Sequence, residues 1–391
     1  KRLLFMTKAS KMEIYEKIEL RYKHSDKIEK TKILDEFCEI CGYNRKYAIR
    51  KLSCILSPKQ MVCDKKIGRP KIYYSKAIEA YILNVWKTTN LICSKRLKIP
   101  VQEWIEFYKE NTKEEKLTEE DKKLLRQISP STIDRLLASH RNRYKKRGLS
   151  TTKPGSIIRN QIPIKTNQWE ETKPGYFEAD TVVHCGGSLA GTVAYTINLV
   201  DIATGWTAQR AVLGKGETSV LEAIENIERG LPFKILGFDS DNGNEFINWH
   251  LYRYLRRRKN PVSYTRSRAY KKNDNAHIEQ KNWTLIRQFL GYQRIESPEA
   301  VEKMNRLYRN EFTMFQNNFI PSVKLLQKNR VGSKIVKQHD AAKTPYQRVQ
   351  ESEHIDKKTK QILKLMKAGM NPFKLNKRIH EQIRDILSFS V

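Results

Sequence analysis

No stretch of this sequence approaches the run of about 18 apolar residues that a membrane-crossing helix needs. No terminal signal peptide is recognisable either. Cysteine is scarce, six residues in 391, which argues against a disulfide framework and for a reducing compartment. Acidic residues are in short supply as well. Asp plus Glu number 43 against 75 for Lys plus Arg, a formal net charge of +32. Such an excess calls for a polyanionic partner, nucleic acid being the obvious one, and the lack of apolar runs disfavours a membrane surface. A soluble intracellular DNA-binding protein is therefore expected, long enough for two to four domains with their own cores. The chain starts at Lys1 without a methionine, so the natural start is expected upstream.

Residues 10–53 read as a helical cluster. Met12, Tyr15, Ile18 and Leu20 suit one helix, and Ile33, Leu34, Phe37, Cys38 and Cys41 a second. Gly42 then turns, Asn44 can cap, and Arg45–Lys51 forms a short basic helix. Helix, glycine turn and basic helix make a helix-turn-helix pattern, with Arg45, Lys46 and Arg50 as candidate DNA contacts. The bland alternative is a helical hairpin with a solvated basic face. Cys38-Glu-Ile-Cys41 invites a zinc reading with Cys54 and Cys63, but the first pair lies on the apolar stripe, where core packing is expected. Residues 57–74 read as a basic linker. Within it Gly68-Arg69-Pro70 resembles an AT-hook core, so Arg69 is a candidate minor-groove contact.

A second helical block spans Ser75 to about Arg147. Ser129-Pro130 offers an N-cap followed by proline at the first helical position. The helix it opens, to His140, is a second candidate recognition helix and runs into a basic cluster holding Arg141 and Arg143. An extended connector follows to about Trp169.

The next block alternates clearly. Strands are expected at Tyr176–Val183, Thr192–Val200 and Trp206–Leu213, joined by tight turns into an antiparallel meander. A helix at Glu217–Arg229, a strand at Lys234–Phe238, a helix at Glu245–Arg257, a strand at Val262–Thr265 and a closing helix at 276–290 complete the order. Three acids stand out: Asp180 in the first strand, Asp241 beside the turn Asn242-Gly243, and Glu279 early in the closing helix. Two strand carboxylates and one helix carboxylate can meet at the end of a sheet, and hard oxygen ligands suit Mg²⁺ or Mn²⁺. Paired ions roughly 3.5–4 Å apart serve an in-line displacement at phosphorus. Asp239 and Asp241 are two apart, so on a strand they share a face, and the pattern does not choose between them. Between Tyr252 and Lys272 nine basic residues occur without an acid, among them Arg256, Arg257, Arg266, Arg268 and Lys271, read as phosphate contacts beside the chemistry. Asn282, one turn after Glu279, could hold a phosphate or order a metal-bound water. His184, His277 and Asp201 are read as structural or supporting residues.

The stretches 238–246 (Phe-Asp-Ser-Asp-Asn-Gly-Asn-Glu-Phe) and 267–282 (Ser-Arg-Ala-Tyr-Lys-Lys-Asn-Asp-Asn-Ala-His-Ile-Glu-Gln-Lys-Asn) resemble the signatures of the retroviral-integrase-like DDE transposases of bacterial insertion sequences. The likeness covers about residues 170–330, and the 37 residues between Asp241 and Glu279 suit the family's spacing. It implies a ribonuclease-H-like α/β core with a mixed five-stranded sheet, all-α helix-turn-helix domains before it, and a helical tail. It also implies that Asp180, Asp241 and Glu279 bind two Mg²⁺ (or Mn²⁺) ions, with Asp180 bridging both. Transposon-end and target double-stranded DNA would be the partners, homo-oligomerisation would occur on DNA, and the location would be the bacterial cytoplasm at the nucleoid. The amino-terminal zinc module of retroviral integrases needs two histidines ahead of the cysteines, and only His24 is available.

The organisation expected is a helix-turn-helix DNA-binding domain at 1–66 and a second helical DNA-binding domain with basic connector at 67–165. The integrase catalytic core follows at 166–320, then a basic connector and helical C-terminal region at 321–391. In the tail, Ile362, Leu363, Leu365 and Met366 are expected to face inward. Leu375, Ile379, Ile383 and Ile386 form a seam for either intrachain packing or subunit contact. Cleavage and strand transfer of DNA is the leading function. Its rivals are a catalytically silent DNA-binding regulator of the same fold and a ribonuclease-H-like nuclease.

Overall fold

The structure, a computed structural model, describes residues 6–53, 74–108, 117–141, 171–188, 190–241, 243, 245–266, 278, 281–331 and 334–389. Two compact units result, Lys1–Tyr73 and Tyr74–Val391.

The first unit holds three helices, α1 (Lys8–His24), α2 (Lys27–Cys41) and α3 (Arg45–Ser53). Asp26 accepts the Ile28 and Glu29 N–H groups and so opens α2. That helix ends at Gly42, whose φ of 66° is a left-handed conformation open to glycine at little cost. The Asn44 side chain accepts from Lys46 N and starts α3. Tyr15, Ile18, Phe37, Cys41, Ala48 and Leu52 form the core, so Cys41 packs as a small hydrophobe. Cys54 and Cys63 lie outside the described residues. Met12 and Leu20, read with Tyr15 and Ile18 as one helix, do lie on α1 but are 49% and 62% exposed, because Tyr15, Ile18 and Tyr22 set its buried stripe.

The second unit is built on a five-stranded sheet in the order β3-β2-β1-β4-β5: β1 (Tyr176–His184), β2 (Ala194–Asp201), β3 (Thr207–Leu213), β4 (Gly237–Ser240) and β5 (Ser263–Arg266). β1 to β3 are antiparallel, whereas β4 lies parallel to both β1 and β5. This mixed sheet flanked by helices fits the ribonuclease-H-like arrangement expected from the sequence. Period-two alternation in β1 divides the two faces. Phe177 and Ala179 join Ile197, Leu199 and Phe238 beneath α9 (Glu217–Arg229) and α10 (Trp249–Arg256). Val182 belongs to the opposite face, where Leu285, Ile286, Tyr308 and Phe312 pack. Buried Asp201 ties the β2–β3 turn to the start of β1 by accepting from Gly175 N and from Thr204 N and Oγ1. Burial pushes its carboxyl up to about 6 despite those bonds.

Helices α4 (Lys76–Thr88), α5 (Ser94–Glu103), α6 (Ile105–Tyr108), α7 (Glu119–Gln127) and α8 (Pro130–Arg141) precede the sheet. They share one hydrophobic core with its polar-striped side rather than building a separate one. Trp104 links them, packing edge-on against Phe319 and Phe373. The Ser129-Pro130 start of α8 is as expected, with Ser129 Oγ accepting from Thr132 N.

Two expectations for the tail are corrected. Part of the stretch read as a basic connector is an antiparallel hairpin, β6 (Leu325–Val331) with β7 (Lys334–His339), followed by a helix at Pro345–Glu351. None of its described side chains joins a hydrophobic core, so no core-facing alternation was there to be read. In the helix Lys357–Lys367, Ile362, Leu365 and Met366 are 47%, 64% and 43% exposed, and only Leu363 is drawn in, against Trp206, Val349 and Ile355. The seam Leu375–Ile386 packs inside its own chain. Ile379, Ile383 and Ile386 join the large core, so this seam is not free for subunit contact.

Fully buried His184 joins the sheet to the covering helices through Nε2 to Thr196 Oγ1 (2.8 Å), which in turn reaches Tyr308 OH (2.9 Å). Burial, helped by the Arg287 charge, pushes its imidazole down to about 3. Between that value and the ordinary 6.5 the unfolded chain binds a proton that the folded one refuses. The stability held above pH 6.5 should therefore drain away as pH falls, by at most about 5 kcal/mol. Urea unfolding at pH 7 and pH 4 should show this loss in the wild type and a clearly smaller one in His184→Gln; equal losses would contradict the assignment.

Candidate active site

Asp180 stands opposite Asn198 of β2, which stands opposite Gln209 of β3. Their side chains form a relay across the sheet. Gln209 Nε2 donates to Asn198 Oδ1 at 2.9 Å, and Asn198 Nδ2 donates to Asn282 Oδ1 at 2.8 Å. Asn282 Nδ2 then donates to Asp180 Oδ2 at 2.6 Å. Thr181 N–H bonds the other oxygen, Oδ1, at 2.7 Å. Asn198 and Gln209 are fully buried, and each amide is oriented by the next. Asn282 opens a π-helical turn, Asn282–Arg287, in the helix over this face. Such widened turns recur at functional sites. The start of the same segment is pinned where Ile278 N–H donates to buried Glu178. Lys281, beside Asn282, has its ammonium pushed down to about 7 by burial, with the Arg96 and Arg348 charges adding to the effect.

The fourth strand stops at Ser240, opposite Ala179, so Asp241 leaves the sheet next to the level of Asp180. Asp239 is distinct from it. It is buried between Glu178 and Thr265 in the ladder and accepts Thr265 Oγ1 at 2.5 Å. Asp241 is half-buried and folds back to accept Gly243 N–H at 2.9 Å. Its carboxyl is pushed up to about 6, first by burial and further by Glu245, against the Gly243 bond and Lys215. Glu245 accepts Thr181 Oγ1 at 2.9 Å and sits 3.9 Å from Lys215 Nζ. A Cβ on Gly243 would lie 2.7 Å from Glu245 and 2.9 Å from Asp241, so glycine lets the two carboxylates approach the turn. Among the described residues no group of three or more His, Cys, Asp or Glu could hold one metal ion.

Glu279, Arg69, Arg143, Arg268, Lys271 and His277 lie outside the described residues. Arg45 is ion-paired with Asp35, and Arg141 with Asp134 at 2.5 Å. Lys46 and Arg50 are exposed on α3. Arg256 and Arg257 are exposed at the end of α10, whereas neighbouring Arg258 is spent on a two-pronged pair with Glu228. Arg266 ends β5. The sequence reading missed Asn198, Gln209 and Glu245. Nothing local marks the two amides, which look like ordinary polar positions in alternating strands. Glu245 was visible only as the last acid before Phe246 in a motif already singled out.

By layout the second unit is an α/β protein whose mixed sheet carries neighbouring acidic side chains where β4 leaves β1. No protein-family model matches the chain. The uncharacterized protein y4rM of Sinorhizobium fredii (strain NBRC 101917 / NGR234) is 34% identical over 346 residues, covering 87% of this chain and 95% of that protein. The chain belongs to the family of y4rM. Among solved structures, the simian T-cell lymphotropic virus intasome in complex with PP2A regulatory subunit B56 gamma matches at 12% identity and a TM-score of 0.32, over 57% of this chain and 67% of that one. The HTLV-2 integrase catalytic core with magnesium gives 13% identity and 0.28, over 38% and 91%. The BIV integrase catalytic core gives 15% and 0.28, over 46% and 96%. At scores this low the likeness carries no functional weight.

Breaking the relay should cost stability in a definite order. Asn198→Leu leaves Gln209 Nε2 and Asn282 Oδ1 without their partner, at about 1–3 kcal/mol for each buried group. Gln209→Leu strands only Asn198 Oδ1 and should cost less. Urea denaturation at neutral pH measures both, and an inverted order would show that the amides are not coupled.

Proposed function

We propose that this chain is a DDE transposase, a metal-dependent polynucleotidyl transferase that binds transposon-end DNA, cleaves it and transfers its strands to a target. The observation that carries this reading is the register that brings Asp241 beside Asp180, with Asn282 of the covering helix hydrogen-bonded to that same Asp180. Glu279, three residues before Asn282 in the sequence, is the third carboxylate of the proposal. The signatures at 238–246 and 267–282 support it.

The donor chemistry suits Mg²⁺ or Mn²⁺. Asp180 and Asp241 offer hard oxygens. Burial and Glu245 hold the Asp241 carboxyl up near 6, the situation of an acid whose anion lacks sufficient positive charge nearby. Asp180, Asp241 and Glu279 would hold two ions. When bound, these would supply activation of a water or DNA 3′-hydroxyl and neutralisation of charge on the leaving oxygen. The chain's own residues do the positioning. Asn282 and Thr181 N–H hold the two oxygens of Asp180, and the Asn198–Gln209 relay fixes the Asn282 amide. Arg256, Arg257 and Arg266 would meet phosphates near the chemistry, while Lys46 and Arg50 on α3 would contact end DNA from the first unit. Joining two ends requires at least two subunits on DNA, and their contact must come from a surface other than the Leu375–Ile386 seam.

Asp180→Asn, Asp241→Asn and Glu279→Gln should each abolish Mg²⁺-dependent cleavage and joining while binding end DNA nearly as wild type. Asp239→Asn should keep measurable activity, since an amide oxygen can still accept from Thr265. Wild-type cutting by Asp241→Asn would show the metal site to be misassigned. A wild type that never cuts its own ends would leave the regulator reading in its place.

The pH profile follows from Asp241. Metal binding needs the ionised carboxylate, so metal affinity should be full above pH 6 and fall about tenfold per unit below it. Isothermal titration with Mn²⁺ at pH 5 and pH 7.5 reads this directly; equal affinities would remove Asp241 from the ligand set. Lys46→Ala with Arg50→Ala should lower the preference for end sequence over random duplex, measured by competition gel shift, without changing the thermal stability of the second unit.

A further inference from the structure

The hairpin β6–β7 has no part in the site described above. Apart from half-buried Leu325, its described side chains are exposed on both faces: Leu326 and Val336 are 64% and 54% accessible, and Gln327, Asn329, Lys337, Gln338 and His339 are open as well. No described residue of either strand joins a hydrophobic core. A two-stranded ribbon of this kind is marginal in water on its own. This one is held at its base. Arg348, 8% exposed, donates to Ser322 O and Oγ, Lys343 O and Asp340 Oδ2, all at 2.8–2.9 Å. Asp340 Oδ1 also accepts from Lys324 N at 2.5 Å, and Lys324 Nζ donates to Ala203 O in the β2–β3 turn. A ribbon anchored to the sheet by its root and open at most of its described positions is built to meet something.

Its charge says what. From Lys324 to Lys343 the sequence has six Lys and Arg and one acid, Asp340. Arg348 takes that acid, Lys343 is paired with Glu351 and Lys324 Nζ donates to Ala203 O, so the ribbon's own charge is that of Lys328, Arg330, Lys334 and Lys337. Lys328 stands directly across the ladder from Lys337, and Arg330 follows two positions on, across from Ile335. Like charges paired across strands destabilise a hairpin unless an anion lies against them. Two strands at about 4.8 Å spacing form a blade narrow enough for the major groove of B-DNA, about 12 Å wide, which admits such a ribbon. The deep, narrow major groove of A-form RNA does not.

We propose that the β6–β7 ribbon is a double-stranded-DNA-binding arm, with Lys328, Arg330 and Lys337 as its phosphate contacts. It deepens the DNA-processing reading, from which it takes DNA as the polyanion. The competing use of lysine along an open ribbon is protection against edge-to-edge aggregation.

The test uses the full chain carrying Lys328→Ala, Arg330→Ala and Lys337→Ala together, with a fluorescein-labelled random-sequence duplex as probe. Fluorescence anisotropy should show affinity at low salt reduced at least about tenfold. The log–log salt slope should become shallower by about 2 to 3, one unit for each lost phosphate contact. In the wild type, amide hydrogen exchange at 325–331 and 334–339 should slow when duplex is added, a readout that does not depend on the variant folding. Unchanged affinity and slope, or ribbon amides indifferent to duplex, would overturn the proposal. So would aggregation of the variant with duplex binding intact, or ribbon protection by polyglutamate or duplex RNA but not by DNA. The two readings fail separately. Ribbon protection in a protein that never cuts DNA sinks only the transposase, and Asp180-dependent cutting with an unprotected ribbon sinks only the arm.

Discussion

A polar stripe runs across the face of the sheet that the helices of residues 281–319 cover, and burying polar groups requires that most of them be hydrogen-bonded, Gln209 Oε1 and His184 Nδ1 being the exceptions in this stripe. Much of the second unit can be understood from that requirement. Gln209, Asn198, Asn282 and Asp180 answer one another across three strands and a helix. Four residues further along β1, His184 joins Thr196 and Tyr308 in a second row in a drier setting. The first row ends on a half-buried carboxylate at the level where β4 stops, and the second ends inside the core. One row is therefore open to chemistry while the other holds the helices on the sheet.

The preceding helical block adds to this by sharing its core with the sheet. Trp104, Phe319 and Phe373 come from the block, from the helix following the sheet and from the C-terminal helix, and they meet edge to face. The C-terminal seam was free in sequence to serve either the chain's own core or a second subunit. It was taken by the chain's own core because Ile379, Ile383 and Ile386 complete that cluster. The helix Lys357–Lys367 instead leaves Ile362, Leu365 and Met366 exposed, and no periodicity argument distinguished it from an inward-facing one.

What charge pattern alone suggests about DNA contacts is reshaped by pairing. Arg45 and Arg141 looked equivalent to Lys46 and Arg50 as members of basic runs, yet each is matched to an acid, Arg45 to Asp35 of the preceding helix and Arg141 to Asp134 of its own helix. Arg258, inside the densest basic run, is held by Glu228 and stacked on Tyr254. A count of positive residues overstates the charge free to meet phosphate, because ion pairing is a property of neighbours in space.

The order of strands and helices was legible because period-two alternation from Tyr176 to Leu213, the Glu217–Arg229 stripe and tight-turn residues are local signals written in adjacent positions. Asp180 and Asp241 were legible for a similar reason, each lying inside a short recognisable stretch. Three things were decided only by tertiary structure. Asp239 and Asp241, equivalent by alternation, separate because β4 ends between them, leaving one locked to Thr265 and the other beside a turn. The amides that hold Asp180 come from positions 18, 29 and 102 residues away along the chain, so no window of sequence contains them. The ribbon of β6 and β7 escaped because none of its described side chains enters a core, so its strands display no core-facing hydrophobic period. Its existence rests on long-range anchoring by Arg348 and Lys324.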